Sequence, residues 1–463
     1  MTISETKDDF EAALALLRRD YPQIEVVELV VTDLNGVPRG KLLPADALDK
    51  LAGGGTKLPV STVALDIFGV DVARAAIAIE IGDPDGVLMP VAETLAPMSW
   101  TLQDARPAAQ VLASLTEADG SAPAKISPRA ALQRVAARAA DMGYTPVVAI
   151  EIEFYLIDVE LDAHRRPQPP IPPGRADRLY RNQIYDMTVL RAFEPLMAEI
   201  TEAVRMLGAP ADTIICEFGP GQFEMNLKHV ADPVAAADDA ILLRRAIRGV
   251  ARRNGYDATF MAKPYGDSAG SGMHMHLSLL DAEGRNVFSG KDGAPNAAMR
   301  KALGGMMATM PDGMAVFAPH FNSYRRFMPG SYAPLRAAWG LDNRGTALRC
   351  PETSGPGARI EHRVSGADAN PYLVAAHILA GALHGLEKGL DCGDPVDGEA
   401  VKDGDPLPAT WTEAIATWEQ SDIVEWAFGG ELRRVYAAMK RQEQETLMAQ
   451  VTDAEYGAYL TTL

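Results

Sequence analysis

The chain has 463 residues, 47% of them hydrophobic, which is enough for a large core and for two or more domains. Its formal net charge of −18 argues against nucleic acid as a partner and is compatible with metal ions or cationic substrates. Three widely spaced cysteines predict neither a zinc site nor a disulfide framework, and the N-terminus lacks an apolar signal core, so we expect a cytoplasmic protein. No apolar run reaches the roughly 18 residues that a membrane span needs.

The first part of the chain predicts a small β-rich domain. A helix is predicted over 8–19 and a strand over 25–32. The dipeptide Asn35-Gly36 is typical of a hairpin turn, so the segment VPRGKLLP should return as a second strand. Another extended segment is predicted over 86–90. We therefore expect one domain over residues 1–115, followed by a polar linker over 116–125.

Residues 126–463 predict a larger domain in which strands and helices alternate. Ser127 and Pro128 are typical of a helix start, and Gly143 would end that helix. Further strands are predicted over 146–158, 213–217, 222–228, 257–263, 273–280, 345–350 and 359–364. Long helices are predicted over 190–207, 231–253, 371–388 and 431–450. The proline-rich segment 165–175 should be a loop or a polyproline stretch.

Three pairs of polar residues, each two positions apart in an apolar stretch, are the most informative feature. They are Glu151/Glu153, His274/His276 and Glu361/Arg363. Residues i and i+2 of a strand point to the same face of a sheet. Because isolated charges are costly to bury, three such pairs predict one shared polar cavity that holds metal ions and a charged substrate.

Further acidic residues extend this set. Glu217 and Glu224 flank the turn FGPGQF, so two short strands would bring both into one site. Together with Glu151, Glu153, Glu361 and His274, they form a donor set suited to Mg²⁺ or Mn²⁺ and poorly suited to zinc or copper. Two ions could share it. A single glutamate or histidine in a strand more often lies on a solvated face or in a satisfied core, and only the recurrence of the pairs favours a site.

Arginines crowd the last third of the chain, several of them in apolar surroundings. They are Arg326, Arg344, Arg349, Arg359 and Arg363. Guanidinium groups bind carboxylates and phosphates through paired hydrogen bonds. Carboxylate metal ligands beside arginines indicate phosphoryl transfer to an anionic acceptor. The sequence contains no P-loop, so a nucleotide site would have to be built differently.

Six stretches, in order along the chain, resemble the signature motifs of the glutamine synthetase superfamily. They are EIEFYLID, EFGPGQFEMNL, FMAKPYGDSAGSGMHMHLSL, NSYRRFMPGSYAP, NRGTALRCP and ARIEHRVSGADANPYL. VALDIFG, AGSGMHMH and the tyrosine of PGSYAP resemble the bacterial γ-glutamylpolyamine (γ-glutamylputrescine) synthetase branch. The resemblance implies an α+β fold, with a small β-grasp-like N-terminal domain and a large catalytic domain built on a curved antiparallel sheet with helices.

The resemblance also implies a reaction and roles for individual residues. ATP and L-glutamate would form γ-glutamyl phosphate, and an amine would displace the phosphate. Glu153, Glu217 and Glu224 would hold the first metal ion, and Glu151, His274 and Glu361 the second. Arg326, Arg363 and the backbone of Gly270 would hold glutamate, and Arg344 would stabilise the transferring phosphoryl group. His276, Ser278, Arg349 and Arg359 match nucleotide contacts. Asp66 matches an aspartate that reaches the neighbouring subunit's site and helps to hold the amine.

Two departures from the family pattern concern the amine. Family members that use ammonia carry a flap glutamate where this chain has Tyr332, and usually an asparagine where it has Ala269. The resemblance therefore implies a ligase for putrescine or another polyamine. Alternatives are a ligase for a monoamine such as methylamine, ethanolamine or isopropylamine, a glutamine synthetase, and a regulatory homologue without catalysis. We also expect self-association into rings, with a dodecamer favoured, and neither a nucleic-acid partner nor a membrane.

Overall fold

The computed structural model describes residues 3–291, 293–398 and 404–463. Within these residues lie twelve α-helices and sixteen β-strands. The helices are α1 (Ile3–Asp20), α2 (Leu48–Ala52), α3 (Pro128–Asp141), α4 (Met187–Ala192), α5 (Glu194–Met206), α6 (Pro233–Arg253), α7 (Ala297–Phe317), α8 (Pro371–Lys388), α9 (Trp411–Gln420), α10 (Asp422–Phe428), α11 (Gly430–Met448) and α12 (Asp453–Tyr459). The strands are β1 (Val26–Thr32), β2 (Pro38–Pro44), β3 (Lys57–Pro59), β4 (Asp85–Pro90), β5 (Ala96–Pro97), β6 (Ala108–Leu115), β7 (Thr145–Asp158), β8 (Ala211–Cys216), β9 (Gln222–Leu227), β10 (Tyr256–Thr259), β11 (Met273–Leu280), β12 (Arg336–Ala337), β13 (Trp339–Leu341), β14 (Leu348–Glu352), β15 (Arg359–His362) and β16 (Asp405–Pro406).

The first sheet is built from the N-terminal strands in the order β2-β1-β6-β4-β3, with β5 paired to β6. Strands β1 and β2 form the predicted antiparallel hairpin. Its turn is closed by the Asp33 N–H, which donates to the Val37 carbonyl at 3.0 Å, and Gly36 has the positive φ of 77° that such a turn requires. Strand β6 runs parallel to β1, so the intervening chain crosses over the sheet.

The second, larger sheet has the order β13-β14-β15-β11-β7-β9-β8, and β10 also pairs with β7. All pairs are antiparallel except β13 with β14. Strand β7 has 14 residues and pairs with β9, β10 and β11. Its buried Ile150, Ile152 and Phe154 alternate with Glu151 and Glu153, so one face of the sheet is apolar and the other is polar. The expected curved antiparallel sheet with helices is confirmed.

Helices α3 and α6 pack against β7 and cover the apolar face of this sheet. The predicted start of α3 is confirmed, because the Ser127 side chain accepts a hydrogen bond from the Ala130 N–H at 3.4 Å. Helices α7 and α8 lie close together behind this layer, and glycine makes the approach possible. A Cβ at Gly305 would lie 2.1 Å from the carbonyl oxygen of Gly381. Among the described helices, none is long and apolar enough to cross a membrane.

Some element predictions are wrong in detail. The helix predicted over 190–207 is two helices, α4 and α5, which meet at Phe193, before the proline at position 195. The strand predicted over 257–263 ends at Thr259. The 21-residue helix α7 was not predicted, because it contains two adjacent glycines and Pro311, which weaken helix propensity. Packing against α8 stabilises it instead.

Candidate active site

The register of four strands brings the predicted polar residues into one row on the polar face of the large sheet. In each case a residue of one pair lies directly opposite a charged or imidazole side chain on the next strand. These cross-strand partners are His274 with Glu151, Glu224 with Glu153, and His276 with Glu361. Directly opposed residues have Cβ atoms about 4.5–5.5 Å apart. The pairing of β9, β7, β11 and β15 therefore brings the predicted pairs together on one face of the sheet.

Glu151 is the centre of this row. One of its carboxylate oxygens lies 3.0 Å from His276 Nε2, and the other lies 3.6 Å from His274 Nδ1. Burial alone would raise the pKa of Glu151, but the hydrogen bonds to the two imidazoles outweigh burial and hold the pKa well below its usual value. Glu151 is therefore ionised and can serve as a ligand to a cation.

Two further carboxyls behave in the opposite way. Burial and the charge of Glu153 raise the pKa of Glu217 to about 8. Burial and the charges of Glu151 and Glu153 raise the pKa of Glu224 well above its usual value. Several carboxylates in one buried place cannot all be ionised without compensating positive charge. A divalent cation supplies such charge, so this observation fits a metal-binding site.

Two groups of three side chains have ligand atoms that all lie within 4.8 Å of one another. They are Glu151–Glu224–His274 and Glu151–His276–Glu361. Carboxylate oxygens with one imidazole suit Mg²⁺ or Mn²⁺. The family motifs imply a different grouping, with His274 beside Glu151 and Glu361. In the structure Glu151 belongs to both groups, and His276 takes the place of His274 beside Glu361. Among the described residues, neither group includes Glu153 or Glu217.

Glu153 instead has protein donors of its own. Its Oε2 accepts hydrogen bonds from Gln222 Nε2 at 3.1 Å and from the Gly272 N–H at 2.9 Å. Neither partner was predicted from the sequence. Gln222 lies two residues before Glu224 on β9, so strand alternation could have placed it on the same face. A Cβ at Gly272 would lie 3.0 Å from His274 Nε2 and 3.2 Å from Arg326 Nη2, so glycine leaves room for the site.

Glu361 connects the carboxylates to the arginines. Arg349 Nη1 donates to Glu361 at 2.6 Å, and Arg363 Nη1 donates to its other oxygen. Burial would raise the pKa of Glu361, but the charges of Arg363 and His274 lower it to about 2. Arg359 Nε donates to His276 Nδ1 at 3.3 Å. The structure thus brings three of the predicted arginines to the carboxylate row.

Arg326 lies against the glycine-rich segment before β11. A Cβ at Gly270 would lie 2.5 Å from Arg326 Cγ, so the backbone and the arginine are in close contact. Arg326 is 6% exposed, and its Nη1 donates to the Val364 carbonyl at 3.0 Å. Arg363 Nε is buried and has no hydrogen-bond partner among the described residues. An unused guanidinium N–H in a polar cavity is suited to an anionic substrate.

The other predicted residues lie at the margin of this site or away from it. Ser278 follows His274 and His276 on the same face of β11. Tyr332 and Arg344 both line a second cavity of about 410 Å³, together with Asp342 of the turn before β14. Tyr332 is 76% exposed. Tyr332 and Arg344 thus lie at the same cavity.

Asp66 lies in the N-terminal domain and is 2% exposed. Its Oδ1 accepts hydrogen bonds from the N–H groups of Phe68 and Val70, each at 2.9 Å. Its Oδ2 accepts one from Gln442 Nε2 at 2.8 Å. Within the described residues, no hydrogen bond or ion pair joins Asp66 to the carboxylate row. Ile67, which follows it, is 39% exposed although apolar.

The chain is similar in sequence to proteins of a known family. The profile described as "Glutamine synthetase, catalytic domain" matches residues 125–459. A γ-glutamylputrescine synthetase from Escherichia coli is 40% identical over 436 residues, which cover 94% of this chain and 91% of that protein. A glutamate–isopropylamine ligase from a Pseudomonas species is 33% identical, with 94% of this chain and 95% of that protein covered.

Two further similarities support the same grouping. A γ-glutamylethanolamide synthetase from Streptomyces coelicolor is 33% identical, with 93% of this chain and 92% of that protein covered. A solved structure described as a GmaS/ADP complex superimposes with a TM-score of 0.83 at 29% identity, covering 96% of this chain and 99% of that one. The similarity therefore extends through both sheets.

Proposed function

The chain belongs to the glutamine synthetase family, and we propose that it joins the γ-carboxylate of L-glutamate to an amine, with putrescine or another polyamine as the preferred amine. It is an ATP-dependent ligase that forms a carbon–nitrogen bond. The observation that carries the proposal is the row of carboxylates and imidazoles on β7, β9, β11 and β15, with arginines beside it.

The proposed reaction has two steps. The γ-carboxylate of glutamate attacks the terminal phosphorus of ATP, which yields γ-glutamyl phosphate and ADP. The amine nitrogen then attacks the γ-carbonyl carbon, the bond from that carbon to the phosphate oxygen breaks, and the nitrogen loses a proton. Divalent cations, when bound, neutralise phosphate charge in the first step. Both steps need a water-poor site, because water would otherwise hydrolyse the acyl phosphate.

The residues of this chain have separate proposed roles in holding the reactants. The metal ligands are Glu153, Glu217 and Glu224 for one ion and Glu151, His274 and Glu361 for the other, and His276 lies close enough to Glu151 to take part. Arg326 and Arg363 hold the carboxylates of glutamate beside Gly270. The buried, unused Nε of Arg363 is a donor available for this contact. Arg344 stabilises the transferring phosphoryl group, and His276, Ser278, Arg349 and Arg359 contact the nucleotide.

The preference for a polyamine depends on Tyr332. An ammonium ion needs several hydrogen-bond acceptors, and a phenol is a weaker acceptor than the carboxylate that ammonia users have at this place. An alkyl amine gains instead from contact with an aromatic wall. Among the compared relatives, the one at 40% identity is named for putrescine, whereas those named for isopropylamine and ethanolamide are at 33%.

The decisive experiment is a substrate panel. Phosphate release is measured with fixed ATP and glutamate against ammonia, ethylamine, ethanolamine, isopropylamine, putrescine and spermidine. The proposal expects the highest kcat/KM with a diamine or polyamine. A tenfold preference for a monoamine would establish the monoamine alternative, and equal use of ammonia would favour glutamine synthesis. No release with any amine would favour a regulatory homologue.

We also propose a cytoplasmic ring assembly, two stacked hexamers in which each site lies between neighbouring subunits. The exposed apolar Ile67, Phe68 and Val70 next to Asp66 support it, since such residues are typical of a subunit contact. Light scattering of the purified protein measures its mass. A fully active monomer would contradict this proposal without affecting the ligase chemistry.

A further inference from the structure

A cavity of about 510 Å³ lies at the junction of the two sheets, away from the row of carboxylates. Its walls come from the N-terminal residues around Asn35 and Trp100 and from helix α6. Arg244, which lines it, contacts Met273 on β11, with Nη2 3.4 Å from the sulfur. Met273 and His274 are consecutive in the strand, so they point to opposite faces. The cavity is therefore separated from the candidate active site by the sheet itself.

Two arginines in this cavity lack ion-pair partners. Within the described residues, neither Arg244 nor Arg248 has a carboxylate oxygen within 4.0 Å. Arg244 Nε is buried without any hydrogen-bond partner, and its Nη2 donates only to the Ala369 carbonyl, at 2.8 Å, besides the contact with the methionine. Arg248 Nε donates to the Ala258 carbonyl at a long 3.3 Å. Most donor N–H groups of this pair remain available.

Other arginines on α6 or in contact with it have carboxylate partners, which makes the two exceptions informative. Arg129 binds the buried Asp238 of α6 at 2.8 Å. Arg245 binds both Glu28 and Gln110. Arg252 binds Asp257 at 3.1 Å. These three arginines thus have carboxylate partners. Within the described residues Arg244 and Arg248 have none, so their guanidinium groups could bind an anionic ligand.

The two guanidinium groups share one aromatic wall. Their Cζ atoms lie 5.7 Å and 5.1 Å from the centroid of the Phe260 ring, so both face the same part of the cavity. Trp100 forms a second wall, and it can lie against α6 only because residue 249 is glycine, where a Cβ would come within 2.5 Å of the indole. Burial and the neighbouring charge of Arg248 lower the pKa of Arg244 to about 10.

Two carboxyl groups also line the cavity, and one of them, Glu28, is already paired with Arg245. Asp368 is half-buried, and its Oδ2 accepts a hydrogen bond from Ser323 Oγ at 2.6 Å, while its buried Oδ1 has no partner among the described residues. Burial raises its pKa, which reduces the negative charge that it adds. Even a fully ionised Asp368 balances only one of the two unpaired guanidinium groups, so positive charge remains in excess.

We propose that this cavity binds a small oxyanion, a phosphate or carboxylate group, between the guanidinium groups of Arg244 and Arg248. Unpaired guanidinium forks in a partly desolvated cavity match the planar or tetrahedral oxygens of such an anion. The free Oδ1 of Asp368 can accept a hydrogen bond from a protonated oxygen of the ligand. The site is distinct from the proposed active site and does not depend on the proposed reaction.

The test measures anion binding to the full-length protein without metal, nucleotide or glutamate. Equilibrium dialysis with labelled inorganic phosphate and, separately, with labelled succinate gives the number of sites and their Kd. The variant is Arg248→Gln, which changes an exposed side chain and keeps the fold. The matched control is Arg285→Gln, which removes one positive charge from an arginine that is 72% exposed and lies away from the cavity.

The expected result is a class of sites that is present in the wild type and in Arg285→Gln and weakened at least about tenfold in Arg248→Gln, because a charge-assisted pair of hydrogen bonds is lost. Any anion bound in the active site should bind equally to all three proteins. The anion should also raise the melting temperature of the wild type and of Arg285→Gln, but not that of Arg248→Gln. Whether phosphate or succinate binds more tightly identifies the ligand class. Equal binding in all three proteins, or binding of neither anion below about 10 mM, would overturn the proposal. If another copy of the chain fills the cavity, neither anion should bind below about 10 mM.

Discussion

Gln442 of helix α11 donates a hydrogen bond to Asp66 at 2.8 Å, across 376 residues of sequence. Gln442 also donates to the Asp71 carbonyl at 3.1 Å, and the adjacent, fully buried Glu443 accepts from the Ile67 N–H at 2.9 Å. Lys440, equally buried, lies 3.0 Å from Glu443 and balances its charge. A C-terminal helix therefore fixes the position and orientation of the N-terminal loop that carries the proposed amine contact.

The variant Gln442→Ala should weaken amine binding. Without this hydrogen bond, Asp66 can rotate, and the loss of one bond to a charged group should raise the KM for the amine about threefold to tenfold. The KM values for ATP and glutamate should not change, because Gln442 touches neither proposed site. Steady-state kinetics with each substrate varied in turn measures this split.

Gln444→Ala is the matched control, since Gln444 lies on the same helix and bonds only to Thr412 among the described residues, at 2.6 Å. It should behave as the wild type. A uniform loss of kcat in Gln442→Ala with unchanged KM values would show that the contact only stabilises the fold.

Glu153→Ala should abolish ligation without unfolding the protein. If Glu153 is a metal ligand as proposed, its removal weakens the hold on the cation that neutralises phosphate charge, so kcat should fall about a hundredfold or more. The control is Glu160→Ala, an exposed glutamate just beyond the end of the same strand. Amine-dependent phosphate release is measured at saturating Mg²⁺ or Mn²⁺, with circular dichroism to check folding. Turnover of Glu153→Ala close to that of the control would remove Glu153 from the metal site.

The sequence predicted those features of the site that arise within a single strand, but not those that depend on pairing between strands far apart in the chain. The alternation of Glu151 with Glu153 and of His274 with His276 is a local property of a strand, and it predicted the shared face. The opposition of His274 to Glu151 is a matter of register between strands more than a hundred residues apart, which no local pattern specifies. The recurrence of the pairs predicted one shared cavity, and the family resemblance assigned the residues to two metal sites, but neither specified this register.

The features that the sequence did not predict are those set by tertiary packing. Helix α7 forms despite its glycines and Pro311 because α8 packs against them. The contact between Gln442 and Asp66 joins the two ends of the chain and has no sequence signature. The unpaired state of Arg244 depends on which carboxylates other elements place near α6, so only the structure reveals it.

The variant Tyr332→Glu should shift the enzyme towards ammonia. The carboxylate restores the acceptor that ammonia-using relatives place in the flap, so the ratio of kcat/KM for putrescine to that for ammonia should fall at least about tenfold. Tyr332→Phe is the control, because it retains the aromatic wall and should leave the ratio nearly unchanged. The side chain is 76% exposed, so neither change should affect folding. If the glutamate variant keeps the wild-type ratio, Tyr332 does not determine the choice of amine.

A pH-dependent loss of stability should arise from Asp239 on α6. Burial and the neighbouring Asp238 raise the pKa of Asp239 to about 7. The folded state therefore binds a proton that the unfolded chain, with an ordinary aspartate pKa, has already released. It follows that the free energy of unfolding decreases as the pH rises from about 4 through 7 and stays at the lower level above that.

Asp239→Asn removes this titration, so the variant should be more stable than the wild type at pH 8, by at least about 1 kcal/mol, since one unit of pKa difference is worth about 1.4 kcal/mol. At pH 4.5 the difference should be much smaller, because the wild-type carboxyl is then protonated in the folded state. Urea unfolding at the two pH values measures both differences. Asp177→Asn, at an exposed aspartate, is the control and should show no pH-dependent gain. A constant difference between Asp239→Asn and the wild type at both pH values would mean that the asparagine acts through packing, and that burial does not hold the proton on Asp239.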